Sequence, residues 1–207
     1  MLGQTEYQHV SGTRCVSDMS EIPSIFMEKF VQYPSIIHSI QGKYAPDNSV
    51  HTSQSKEKKE DYIAMEKLTQ LQIAYLDIAL HSNRWSSSTH ARSMQSILKE
   101  VHDQDEFQIY NVDENTPTSY GWMTRIPHWT DYAASYYAYP FAESVVKRIH
   151  EQLFALEDEE LWRRNGMRVY EELLQWGGSR DGWECISALL NDDALLSSKH
   201  ESISCIL

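Results

Sequence analysis

PFAESVVKRIHEQLFAL, residues 140–156, decides the fold class. Phe141, Val145, Ile149, Leu153 and Leu156 recur at three and four residues, the spacing that lines one face of an α-helix rather than a strand. Two further stripes repeat the pattern. Leu68, Leu71, Tyr75 and Ile78 predict a helix over residues 61–81, and Trp162, Val169, Leu173 and Trp176 predict another, with Gly166 on the same face, where a missing side chain would admit a neighbouring helix. Gly177-Gly178 ends that helix, because glycine accepts the left-handed geometry past a C-terminus, and Ser179 or Asp181 can cap the next one. The expectation is an all-α, multi-helix fold whose stripes are core, with no sheet beyond a short hairpin.

Three stretches fall outside the helical pattern. Residues 42–60 are polar, with Pro46, Asn48 and the self-balanced run SKEKKE, and read as a surface loop or insertion. Residues 103–126 carry Asn111, Asp113, Asn115, Pro117 and Gly121 and read as a long irregular connection, a kind of loop more often functional than idle. Residues 191–207 read as a tail, disordered or a frayed helix.

Composition excludes several classes. The chain has 207 residues, of which 41% are hydrophobic, enough for a real core. A formal charge of -12 works against nucleic acid or an anionic membrane as partner, since each needs a concentrated basic patch. No apolar run approaches the ~18 residues of a membrane span. The first eleven residues hold one acid and no arginine, without signal or transit character. Cys15, Cys185 and Cys205 are odd in number and unpaired in spacing, so neither a disulfide framework nor a cysteine zinc site is indicated, and a reducing compartment fits.

The residues that could carry chemistry form two groups. SGTRCVSDMSEIPS, residues 11–24, holds Asp18 and Glu21, with Glu28 beyond; on one helix the three carboxylates would share a face. By itself Glu21 reads as a solvated helix carboxylate, and Asp18 equally well as an N-cap. Histidine ligands would come from an HExxH helix, which this sequence lacks: His150-Glu151 and His200-Glu201 are not followed by the second histidine. The second group is PHWTDYAASYYAY, residues 127–139. There Tyr132, Tyr136 and Tyr139 stand at i, i+4 and i+7, one face of a helix, where tyrosines more often pack than react. Cys15 beside Arg14 lacks a neighbouring base and reads as an inert, buried thiol.

Three ordered segments carry a resemblance. Residues 1–30, containing D-x-x-E-x-P-S at Asp18 to Ser24, together with residues 127–139 and LLQWGGSRDGWEC at 173–185, resemble the thimet oligopeptidase family of zinc metallopeptidases. The first segment is similar to the one that follows HExxHxxH in that family. The resemblance implies that residues 1–190 are the C-terminal half of a zincin-like catalytic domain. It implies Glu21 as the third ligand of a Zn2+ ion, Asp18 as an acceptor behind the metal ligands, and His128, Tyr132, Tyr136 and Tyr139 as substrate-binding, with His128 and Tyr139 stabilising the oxyanion. Glu21, His128 and Tyr139 would then face one cavity. SGTRC with WGGSRDGWEC is most similar to the branch that removes short N-terminal peptides from precursor proteins imported into the mitochondrial matrix. Without HExxH the chain itself is expected to be an inactive fragment that binds zinc poorly and exposes apolar surface. A cytosolic oligopeptidase of the same family and a non-catalytic helical peptide-binding module are the alternatives. The sequence departs from the family where Ala133 and Ala134 replace a glycine-rich stretch and Pro140 follows Tyr139, which would sit in a helix's first turn or kink it.

Overall fold

Thirteen buried apolar residues drawn from both ends of the sequence make one core. The computed structural model describes residues 3–44, 56–82, 94–102 and 125–196. Among them every regular element is helical, as expected, and none is a strand. The chain divides into two compact units, residues 1–50 with 141–207, and residues 51–140.

In the first unit α1 (Ser17–Ser20) and α2 (Ile22–Lys29) run into a single 3-10 turn and then α3 (Pro34–Tyr44). The unit continues in α7 (Ala138–Leu153) from Phe141 onward, α8 (Glu159–Glu172) and α9 (Gly182–Leu190). Its core joins Ile22 and Phe26 of α2 to Val145, Val146 and Ile149 of α7, Val169 of α8, and Ile186 and Leu189 of α9. Helices shorter than about 12 residues are marginal alone, so this shared cluster, not intrinsic propensity, holds α1, α2 and α9 in place. Side chains finish the helix starts. The Leu161 N–H donates to Asp158 Oδ1 at 2.9 Å. At α9 the cap is Asp181, which accepts from the N–H groups of Trp183 at 2.9 Å and Glu184 at 3.3 Å. Ser179 instead donates its hydroxyl to the Trp176 carbonyl at 2.6 Å.

The glycine pair does more than end a helix. Gly177 has φ 53 and ψ -122, a backbone closed to other residues without strain. A Cβ there would collide with the Val10 carbonyl oxygen, and one on Gly178 with that of Arg14. The approach is closed by hydrogen bonds from Gly178 N–H to Val10 O and from Gln4 N–H to Gln175 O, each 2.8 Å. Gly182 likewise leaves room for the Met19 side chain. Two segments that resemble family motifs, some 165 residues apart in sequence (Gly12 to Gly177), are thus one packing unit.

Several details differ from the sequence expectations. α7 ends at Leu153, so Leu156 falls past the helix and is 69% exposed while Phe154 takes the buried place. A Cβ on Gly166 would meet nothing within 4 Å, so among the described residues no helix packs closely on it. Within the stretch 42–60, Gly42–Tyr44 close α3 and Lys56–Glu60 open α4 (Lys56–His81); the residues between, and 103–124 of the long connection, lie outside the described residues. The first part of the tail is folded: Asn191 caps α9 in the left-handed region, Arg148 pairs with Asp192, and Leu195 is buried in the core.

His150 is one of the buried polar residues of this unit. Its ring lies among Phe26, Phe30, Phe154 and Tyr33, with centroids 4.9–6.0 Å apart. Nε2 donates to the Phe26 carbonyl at 3.4 Å, which leaves Nδ1 an acceptor in the neutral ring; the Tyr33 hydroxyl lies 3.3 Å from Nδ1 and 3.3 Å from the Phe154 carbonyl, with one proton to share between them. Burial lowers the pKa of His150 below its usual 6.5, and nearby Lys29 adds to the effect against the Phe26 hydrogen bond.

The second unit is built on α4, α5 (Met94–His102) and α6 (His128–Asp131). Leu76, Ala79, Ile97, Leu98 and Val101 are buried together, with Leu80 and Trp129 against them. The face of α4 that is buried is not the one the stripe named. Leu71, Tyr75 and Ile78 are 40–48% exposed. Ile73, Leu76 and Leu80 repeat at the same spacing one step round the helix, and periodicity alone does not choose between two apolar faces.

A substitution series reads these backbone positions. Gly177→Ala is expected to cost about 2–4 kcal/mol through strain and collision. Gly166→Ala should gain about 0.5–1 kcal/mol, as for an open helical site. Ala134, at φ 58 in the second unit, should gain about 1 kcal/mol as glycine. Chemical denaturation of the three variants measures this, and an unchanged midpoint for Gly177→Ala would remove the close-approach role.

Acid should destabilise the first unit through His150. Because its folded pKa lies below the unfolded 6.5, the unfolded chain binds the proton more readily, so the contribution is complete above 6.5 and is lost as pH falls toward the folded value. Melting temperatures at about pH 7.5 and about pH 5.5 should differ less in His150→Gln than in the parent, and equal differences would contradict it.

Candidate active site

The segment after α6 gathers aromatic and hydroxyl groups around one histidine. His128 opens α6, Asp131 closes it, and Tyr132 leaves the helix with φ -134 and ψ 45. Turns follow until α7 starts at Ala138. Tyr132, Tyr136 and Tyr139 therefore do not form a row on one helix, as the spacing suggested. Only Tyr139 is helical, and Pro140 behind it sits in the first turn of α7, where proline is tolerated.

The turn achieves what the helix would not. The His128 ring lies 5.5 Å from Tyr132, 5.3 Å from Tyr136 and 5.6 Å from Tyr139, centroid to centroid, and Tyr136 and Tyr139 are 5.2 Å apart. His128 Nε2 and the Tyr139 hydroxyl are 3.0 Å apart, a hydrogen bond whose direction follows the imidazole tautomer. Tyr132 is 62% exposed, whereas Tyr136 is half-buried. Burial raises the Tyr136 phenol above its ordinary pKa of 10, so it remains a donor throughout the neutral range.

What folds the turn this way is Asp77, on α4. This carboxylate is wholly buried and accepts the N–H of Ala134 at 3.1 Å on Oδ1 and of Tyr136 at 2.9 Å on Oδ2. One turn along α4, His81 Nδ1 is 3.0 Å from Asp77 Oδ1, and its Nε2 is 3.1 Å from the Trp129 carbonyl. Neither residue belongs to the groups recognised in the sequence. A signal was there: an acid inside the apolar run IAYLDIAL needs a partner if that face is buried.

Glu21 lies in the other unit, between α1 and α2, as the C-cap of one and the N-cap of the next. Pro23 occupies the first turn of α2, and Met19 and Ile22 on either side of Glu21 are buried, which seats the half-buried Glu21 at a corner of the backbone. The Ser24 hydroxyl is 2.9 Å from the Glu21 carbonyl and 3.1 Å from its Oε2. Asp18 falls in the first turn of α1, whose N-cap is Val16, so the capping role is not its own.

Glu21 can offer one oxygen to a metal. Among the described residues no three His, Cys, Asp or Glu side chains are grouped to hold one, and a catalytic zinc takes three protein ligands. The described residues thus fit one ligand of a zinc site and not the site. The thiols are poor candidates, since burial raises the pKa of Cys15 and pushes that of Cys185 up to about 11. Among the described residues, no helix is long and apolar enough to cross a membrane.

Comparison with known proteins agrees with the resemblance carried by the three segments. A chain named mitochondrial intermediate peptidase from Yarrowia lipolytica is 33% identical over 198 residues, covering 94% of this chain and 24% of the relative. The protein of that name from Aspergillus niger is 31% identical over 197 residues (92% and 24%), and the one from Vanderwaltozyma polyspora 32% over 209 (100% and 25%). The chain spans about a quarter of the length of the curated relatives it matches. The model of peptidase family M3 matches residues 1–203, and the chain belongs to that family.

Proposed function

We propose that this chain is part of a zinc metalloendopeptidase that removes short N-terminal peptides from precursor proteins imported into the mitochondrial matrix. The M3 match and the names of the relatives support the peptidase and its compartment. The observation that carries the chemical part is the gathering of Tyr132, Tyr136 and Tyr139 around His128.

Cleavage of a peptide bond builds negative charge on the carbonyl oxygen, and donors already in place stabilise it without reorganisation. Tyr139 can donate to that oxygen when its own oxygen accepts from His128, so the Nε2–H tautomer of His128 is the competent one. The alternative tautomer would draw the phenolic proton to the imidazole. Tyr136, kept protonated by burial, and exposed Tyr132 supply donors and ring faces to a substrate backbone. Glu21, fixed at the corner between α1 and α2, is the metal ligand in this reading, and Asp18 an acceptor beside it. Zn2+ would supply an activated water; its other ligands and the general base belong to an HExxH helix that this sequence lacks. By ligand counting the chain alone binds zinc weakly and does not hydrolyse peptides.

The test uses an enzyme of full family length containing this chain. Glu21→Gln should weaken metal retention and abolish turnover. Tyr139→Phe should leave metal content intact and lower kcat on the order of 10²–10³-fold, the usual loss for one oxyanion donor. Zinc content and steady-state kinetics on a precursor peptide distinguish the two. Full turnover in Tyr139→Phe would remove the tyrosine's role, and full metal content in Glu21→Gln would remove the glutamate's.

A further inference from the structure

A carboxylate with no exposed surface at position 77 needs a reason. Isolated burial of an ionised carboxyl is strongly unfavourable, and an apolar residue of similar volume would suit the Leu76, Ala79 and Leu80 surroundings better. What Asp77 has in return, besides His81 one turn along α4, is on one loop. Each of its oxygens receives a backbone N–H, Ala134 on Oδ1 and Tyr136 on Oδ2, at 3.1 and 2.9 Å. Together these bonds require that the chain turn at Ala134, whose φ of 58 would otherwise be avoided by a residue with a Cβ.

His81 extends the grip to the other end of the loop. Its Nδ1 faces Asp77, 3.0 Å from Oδ1 and 2.8 Å from the carbonyl, and its Nε2 faces the Trp129 carbonyl at 3.1 Å. Trp129 directly follows His128. One turn of α4 therefore holds the backbone beside His128 and, through two amides, the backbone that carries Tyr136. A loop held at both ends by charged or ring donors and acceptors keeps its side chains within the narrow tolerance that oriented catalysis demands.

We propose that Asp77 and His81 are positioning residues of the peptidase site, setting the place of the His128 and Tyr136 rings and through His128 the aim of the Tyr139 hydroxyl. The assignment rests on the peptidase reading for its purpose, but its geometry is measurable without turnover.

Asp77→Asn is the sharpest probe, because it keeps the shape and replaces one acceptor by a donor that faces an N–H. In the full 207-residue chain, amide exchange at Ala134 or Tyr136 should quicken about ten- to a hundredfold, as for loss of a bond to a charged group. The His128 Cε1–H resonance should move with it, while amides of the Val145 to Ile149 core keep their protection. His81→Gln, at a side chain 29% exposed and so safe for folding, should move the His128 resonance as well. In the full-length enzyme Asp77→Asn should lower kcat with metal content unchanged, and should add little when Tyr139 is already Phe, since both act on the same hydroxyl. Unchanged exchange at both amides, a His128 resonance unmoved in both variants, or fully multiplicative losses in the double variant would overturn the proposal. If the enzyme proves to have no peptidase activity at all, the functional reading fails, while exchange and resonance still decide whether Asp77 and His81 set the loop.

Discussion

The carbonyl of Val10 lies where a side chain on Gly177 would be, and that close approach governs the first unit. With it, the N-terminal segment can hydrogen-bond to the turn after α8 and α1 can lay Met19 against Gly182. The backbone corner that presents Glu21 follows from the same contact, because Ile22 and Phe26 then reach the core made by α7, α8 and α9. A single Cβ would move the whole N-terminal arm.

The second unit shows the complementary device, a polar anchor in place of a missing side chain. Where family relatives were expected to use a flexible glycine-rich stretch, this chain has Ala133 and Ala134, and the left-handed turn at Ala134 is held by the Asp77 carboxylate. Conformational freedom has been exchanged for hydrogen bonds. The consequence is that Tyr132 and Tyr136 of the turn and Tyr139 at the start of α7 are gathered on His128.

Two buried polar side chains, His150 and Asp77, are partnered differently. His150 sits among four aromatic rings with one carbonyl and one hydroxyl, an arrangement that suits the neutral imidazole. Asp77 is met by two backbone N–H groups, each donating to one carboxylate oxygen, and by the His81 ring.

The helical class and α7 to α9 were legible in the sequence, because three- and four-residue apolar spacing is a local property that survives packing. The cap at Asp181 was one of the two the sequence offered, whereas α8 ends at Glu172 and Gly177 closes only the 3-10 turn after it; the family motifs named Glu21 and His128 as residues to watch. Other features depended on which surfaces meet. Two apolar faces of α4 had equal periodicity, and only contact with α5 made Leu76 and Ala79 core while Leu71 and Ile78 stayed exposed. The tyrosine spacing fitted a helix, yet hydrogen bonds donated by the loop to a residue nearly 60 positions earlier, as from the Ala134 N–H to Asp77, bent the chain into a turn. Periodicity records what a segment prefers by itself; tertiary structure decides whenever a distant partner offers its backbone a stronger bond or denies its side chain a place.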